Sequence, residues 1–165
     1  MRILIENDIM KIVFTEKSDL PFVVEAELDA ENSAFVGSWQ EKQHENALAN
    51  DDVLHLLLKS SDGKTLGFLI IRGLTNKNDN IELMRIVVTH KGMGYGKLAI
   101  SLIKKWCFEV QKTHRLWLDV VEHNRRAQHV YEDAGFIREG MLRECEKYGT
   151  EYKSLVIMSI LSHEY

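Results

Sequence analysis

One proline, two cysteines and no long apolar run set the first limits on this 165-residue sequence. Cys107 and Cys145 are too few for a disulfide framework and do not form a metal-spacing motif, so no metal is expected. No stretch reaches the 18 apolar residues that would suggest a membrane span, and the opening MRILIENDIMK lacks the apolar core of a secretory leader. A cytoplasmic protein with no membrane partner is the expectation. Proline stops at Pro21, and no repeat, low-complexity tract or linker follows, so residues 1–165 are expected to form one domain with a substantial core. Strong basicity is also missing. A net charge of −4 and a pI near 6.0 weigh against nucleic acid and are compatible with a cationic substrate.

What the sequence does hold is Ile81 to Val110, which reads as a buried strand, a short loop with three alternating glycines, and a long amphipathic helix. In strand Ile81–Thr89, strict alternation puts Met84, Ile86 and Val88 on one face and Leu83, Arg85 and Val87 on the other. Helix Lys97–Gln111 carries an apolar stripe of Leu98, Leu102, Trp106 and Val110, with Ala99 and Ile103 beside it. Between them lies His90-Lys91-Gly92-Met93-Gly94-Tyr95-Gly96. Glycines let backbone amides turn toward a ligand, and a helix start adds unpaired N–H groups, so this is a place for a phosphate or pyrophosphate. The spacing fits neither a Walker loop nor the G-x-G-x-x-G dinucleotide fingerprint, which counts against ATP or NAD.

Elsewhere residues 1–10 carry little signal and read as a leading strand or an extension. Lys11–Thr15 suggests a short strand, and Ser18 or Asp19 can cap a helix running to Leu28 with Pro21 in its first turn. A loop is expected over Asn32–Gly37 and a second helix from Trp39 to Leu48 capped by Ser38. Val53–Lys59 and Thr65–Leu74 form a hairpin through Ser61–Lys64 and then feed the organising strand. Arg115–Val121 should lie parallel to that strand, because a helix joins the two. Asn124 caps a helix whose apolar face is Ala127, Val130, Tyr131 and Ala134, and Gly135 ends it. Strands at Phe136–Glu139 and Tyr152–Leu161 follow, with a turn within Glu144–Glu151. The expected fold is α/β: a mixed, mostly antiparallel sheet with one parallel pair at its middle, flanked by helices.

Two motifs carry a family resemblance over about Val53–Leu161. Lys91-Gly92-Met93-Gly94-Tyr95-Gly96 resembles the R/Q-x-x-G-x-G/A loop of the GNAT superfamily of acetyl-CoA-dependent N-acetyltransferases, with Lys91 replacing Arg or Gln. Asn124, Ala127, Tyr131, Gly135 and Phe136 match every position of N-x-x-A-x-x-x-Y-x-x-x-G-F. The chain is similar to the subgroup that includes spermidine and ribosomal-protein N-terminal acetyltransferases. It departs in a shorter loop between Val88 and Lys91.

The resemblance implies a parallel pair that splays at its C-terminal ends, with the pantetheine arm of acetyl-CoA pairing near Ile86–Val88. An N–H of Val87 or Val88 would then polarise the thioester carbonyl. Amides from Met93 to Lys97 would hold the pyrophosphate, and Lys91, Lys97, Lys104, Arg125 or Arg126 would neutralise it. Asn124 belongs to the same cofactor site. Tyr131 would be the general acid for the leaving thiolate. A primary amine of pKa about 10.4 is neutral in only about one molecule in 2,500 at pH 7, so a base or water relay helps. Glu82 is the candidate base, ahead of His90, Glu122 and His123. No Cys-His or Ser-His pairing suggests an acyl-enzyme, so transfer is expected to be direct. The acceptor is then a small-molecule amine or a protein N-terminus, and a homodimer is compatible with such folds. The alternative is a non-catalytic CoA-binding regulatory module.

Overall fold

The computed structural model describes residues 1–165. Its strands are β1 (Ile3–Glu6), β2 (Met10–Phe14), β3 (Val53–Ser60), β4 (Thr65–Arg72), β5 (Asn80–Val88), β6 (Arg115–Val121), β7 (Ile137–Tyr148) and β8 (Glu151–Leu161). Helices are α1 (Leu20–Leu28), α2 (Ala30–Ser33), α3 (Glu41–Leu48), α4 (Tyr95–Lys105) and α5 (Arg125–Asp133). One eight-stranded sheet runs in the order β1-β2-β3-β4-β5-β6-β8-β7, and only β5 and β6 pair in parallel. The expected mixed sheet with a central parallel pair is therefore present.

Each face of the sheet has its own apolar cluster. Helices α4 and α5 contribute Ile100, Ile103 and Tyr131 to the larger one, against Leu69, Leu118 and Met158 of the sheet. Helix α1 covers the other face, where Val23 and Ala26 pack with Leu57, Phe68 and Val87. The sheet is thus sandwiched over β2–β5, which fixes its central strands as apolar on both sides.

Several local expectations change. Of the two readings of the first ten residues the structure has the leading strand, β1, a short edge strand paired with β2. Asn32 and Ser33, expected in a loop, end the short helix Ala30–Ser33, which is capped by the Asp29 carboxylate accepting from the Glu31 amide at 3.0 Å. Helix α3 starts at Glu41, with Gln40 rather than Ser38 as its cap, because the Trp39 N–H is held by the Glu27 carboxylate at 2.8 Å. The long helix starts at Tyr95, and its last turn, Trp106–Val110, widens into a π-helix with the Gln111 amide bonded to the Trp106 carbonyl. That wide turn rotates Val110 off the apolar stripe, leaving it 62% exposed. Strand β7 continues to Tyr148, well beyond Glu139. Both of its faces are open along almost its whole length, so no apolar alternation announced it.

The correction with most consequence lies in β5. Ile70 pairs with Arg85 and Ile71 with Leu83, which leaves Met84 as an extra residue. A bulge inverts the alternation on either side of it. Leu83, Ile86 and Val88 therefore share the face of the larger cluster, while Met84 and Val87 join the α1 side.

Candidate active site

The site begins where the parallel pair ends. β5 and β6 pair only over Asn80–Arg115, Ile81–Leu116 and Glu82–Trp117, and beyond Trp117 they part. A cavity of about 960 Å³ fills the gap and runs to the starts of α4 and α5. Phe35, just after α2, meets His123, just before α5, with ring centroids 5.6 Å apart, and both line the cavity.

Thr89 donates its amide to the Leu66 carbonyl at 2.9 Å. Amides alternate along an extended strand, so Val87 also faces β4 while Ile86 and Val88 turn theirs toward the gap. The close approach of Gly67 to β4's neighbour agrees: a Cβ there would lie 2.0 Å from the Val87 carbonyl oxygen. Of the two amides considered for the thioester, only that of Val88 faces the cavity. Val87 is turned away on both its side chain and its backbone, which corrects its place among the cofactor-binding residues.

The glycine loop sits at the cavity's other end. Gly92 and Gly94 have φ of +77° and +79°, the left-handed region that other residues enter at a cost. Gly94 caps α4 without any side-chain bond, and the first intrahelical bond is from Leu98 to Gly94, which leaves the amides of Tyr95, Gly96 and Lys97 unpaired. Gly96 lines the cavity, and an added Cβ would meet only Val88 Cγ2, at 3.9 Å. Nothing within the chain demands a glycine at that position, but a ligand lying on those amides would. Three free amides at the positive end of an eleven-residue helix, beside a surface without a Cβ, fit the pyrophosphate of CoA.

Around this end the cations divide. Lys91 pairs with Glu31 at 3.3 Å and Lys97 with Asp133 at 2.9 Å, whereas Arg125 and Arg126 line the cavity outside any ion pair. Lys104 bonds to the Ala134 carbonyl at the end of α5 and does not line the cavity. Met93 is 68% exposed at the loop tip, outside the cavity, so only its backbone remains available to a ligand. Asn124 lines the cavity and caps α5, accepting from the Ala127 amide at 3.2 Å.

Tyr131, only 8% exposed, reaches the cavity from α5, and its ring packs on Phe136 with centroids 5.9 Å apart. No buried side-chain polar atom lacks a partner, so its hydroxyl, which bonds to no other residue, opens onto the cavity. Burial, helped by the nearby Asp119 charge, pushes the phenol up to about 12 and keeps it protonated.

Glu82 is buried at the cavity floor and held by Arg72, whose Nε bonds one carboxylate oxygen and whose Nη2 bonds the other at 3.1 Å. Of the remaining candidates, His90 and His123 line the cavity, and Glu122 does not. Two carboxylates missed from the sequence join Glu82: Asp119 on β6 and Glu146 on β7. Asp119 is exposed to the cavity's solvent, and partial desolvation with the charges of Glu82 and Glu146, partly offset by Arg72, raises it to about 6. One signal was present, since Asp119 is the sole acid in the RLWLDVV strand that had to flank the gap. Glu146 gave none, because its strand was unrecognised.

The comparisons with known proteins agree with this geometry. A model of the acetyltransferase (GNAT) family matches residues 21–136. Spermidine N(1)-acetyltransferase of Vibrio cholerae is 31% identical over 80 residues, which span 48% of this chain and 46% of that enzyme, a little under half its length. The Escherichia coli K12 enzyme of the same name is 26% identical over 160 residues, covering 91% of this chain and 84% of its own. Among solved structures, Vibrio cholerae spermidine N-acetyltransferase in complex with CoA and spermine superposes with a TM-score of 0.86, at 20% identity, over 96% of this chain and 99% of that one. With a family model matching most of its length and a fold to go with it, this chain belongs to the acetyltransferase (GNAT) family.

Proposed function

We propose that this protein transfers the acetyl group of acetyl-CoA directly to a primary amine of a polyamine such as spermidine. The observation that carries the reading is the polarity of the cavity between the parted strands. Its glycine-loop end offers free amides, Arg125 and Arg126 to a polyanion, and its other end gathers Glu82, Asp119 and Glu146 around Arg72, while the second guanidinium on the wall, Arg85, is already paired with the buried Glu27. Three carboxylates against Arg72, with the Arg85 charge balanced by Glu27, leave a net negative floor, which suits a substrate with more than one ammonium group better than a protein N-terminus with one. The names of the curated relatives point the same way.

In this reading the Val88 amide polarises the thioester carbonyl and stabilises the developing oxyanion. The acceptor nitrogen comes from the acidic side, between the splayed strands. Tyr131 gives its phenolic proton to the departing sulfur; its burial keeps that proton in place until a thiolate forms beside it.

The test is thiol release from acetyl-CoA with spermidine, spermine, monoamines and an N-terminal peptide as acceptors. Polyamines should be preferred. Tyr131→Phe should lower kcat by about 10²–10⁴-fold with acetyl-CoA affinity nearly unchanged. Tight acetyl-CoA binding with no thiol release from any amine would favour the regulatory module instead.

A further inference from the structure

We infer that Asp119, rather than Glu82, accepts the proton of the acceptor ammonium, an assignment that rests on the acetyl-transfer reading above. The argument is one of position and of free valence. Trp117 is the last residue of β6 paired to β5, opposite Glu82, and Asp119 is the next residue on the same face. It therefore stands at the first point where the strands have parted, with the cavity in front of it. Glu146 is two strands further from β5, across β8.

The charged and titratable groups facing Asp119 come from four elements: Glu82 from β5, Glu146 from β7, Arg72 from β4 and Tyr131 from α5. Its partner on the adjacent β8 is the apolar Ile157. Asp119 makes no hydrogen bond or ion pair with any of them, so both of its oxygens are available. Glu82 differs. Arg72 grips both of its oxygens, so neither is free to face the acceptor nitrogen while the bidentate pair stands. Glu82 supplies fixed negative charge, and Asp119 the lone pair. The Asp119 side chain is open to the cavity's solvent, and partial desolvation there beside two carboxylates makes it a stronger base than an ordinary aspartate, at about 6, while leaving it ionised at neutral pH.

The protons balance. One leaves the ammonium for an Asp119 carboxylate oxygen and passes on to solvent. The freed nitrogen lone pair attacks the thioester carbonyl carbon, forming the C–N bond, and the C–S bond breaks. Sulfur takes the Tyr131 proton, and the second proton shed by the nitrogen restores the phenol. The products are the N-acetyl amine, CoA thiol and one released proton.

The experiment is kcat/KM for spermidine between pH 5 and 9, on the whole chain, for wild type, Asp119→Asn, Asp119→Glu and Glu82→Gln, with thermal midpoints as the control for folding. Wild type should rise to a break near pH 6 and then flatten. Asp119→Asn should lose that break and rise roughly ten-fold per pH unit, because it depends on amine already neutral in solution. Asp119→Glu should restore a break, and Glu82→Gln should keep one while raising KM. An Asp119→Asn profile that retains the break, or a Glu82→Gln profile that loses it, overturns the assignment. A folded wild type that binds acetyl-CoA yet acetylates no amine overturns the transfer reading, and this assignment with it.

Discussion

The carboxylate of Glu27 on α1 and the guanidinium of Arg85 on β5 form an ion pair within the protein, with Glu27 0% and Arg85 8% exposed. The second Glu27 oxygen accepts from the Trp39 amide at 2.8 Å and meets His44 Nε2 at 3.3 Å. From there His44 Nδ1 lies 3.0 Å from His55 Nε2, and His55 Nδ1 lies 2.9 Å from the Thr15 hydroxyl. A single run of donors from Thr15 through His55 and His44 to Glu27 satisfies every ring nitrogen. The network ties α1 and α3 to β3 and β5 behind the cavity wall formed by Arg85 and Trp39, whose ring lies 4.8 Å from the guanidinium.

Removing the centre of that network leaves Arg85 buried without its counter-charge. Glu27→Ala should destabilise the protein by roughly 3–5 kcal/mol, measured by urea unfolding. An effect below about 1 kcal/mol, the range of exposed ion pairs, would show that the network does not hold the helices to the sheet.

Acid should loosen the same region. Burial, and then the proximity of His44, depress His55 to about 4, so the unfolded chain binds its proton first as pH falls from about 6.5. The stability tied to neutral His55 is fully present above pH 6.5 and is lost progressively down to about 4. Glu27 extends the decline. Its burial disfavours the charge, but the His44 and Trp39 hydrogen bonds and the Arg85 charge outweigh it and hold the carboxyl below its ordinary value. Its contribution is present above the unfolded carboxyl pKa and disappears as pH drops through the folded one. Thermal midpoints should fall steadily below pH 6.5, and His55→Asn should flatten the upper part of that slope even if it lowers the midpoint throughout.

The two glycines at the start of α4 should separate fold from binding. Gly94→Ala forces a Cβ onto a φ of +79° and should cost about 1–2 kcal/mol of stability. Gly96→Ala meets only Val88 Cγ2 at ordinary contact distance, so its thermal midpoint should hardly move. Its acetyl-CoA affinity should nonetheless drop by about ten-fold or more, since a methyl group between phosphate and amide lengthens the contacts at which helix N-termini bind anions. Calorimetric titration with acetyl-CoA reads both variants, and unchanged affinity for Gly96→Ala would move the pyrophosphate elsewhere.

Acceptor length should be sensed at Glu146. Glu146→Gln should raise KM for spermidine several-fold while leaving KM for a monoamine nearly constant, because only the longer cation has a second charge to place on the floor. Equal changes for both substrates would assign Glu146 to the general field of the cavity.

The sequence by itself determined the strand–glycine loop–helix unit, the parallel partner Arg115–Val121, and the Asn124–Gly135 helix that presents Tyr131. Those signals are local: φ-permissive glycines, caps, and apolar periodicity against a single core. Tertiary structure decided what no window of residues encodes. An extra residue at Met84 inverts the faces of β5, and its effect exists only relative to the pairing partner on β4. Strand β7, open on both faces, carries no hydrophobic alternation and is defined by its hydrogen bonds to β8. The acidic floor assembles Glu82, Asp119 and Glu146 from three strands because the sheet order brings β6, β8 and β7 together past the gap. Charges gathered over such sequence distances perturb one another only after folding, so the chemistry at the acceptor end belongs to the fold, while the donor end was already written in one continuous stretch of chain.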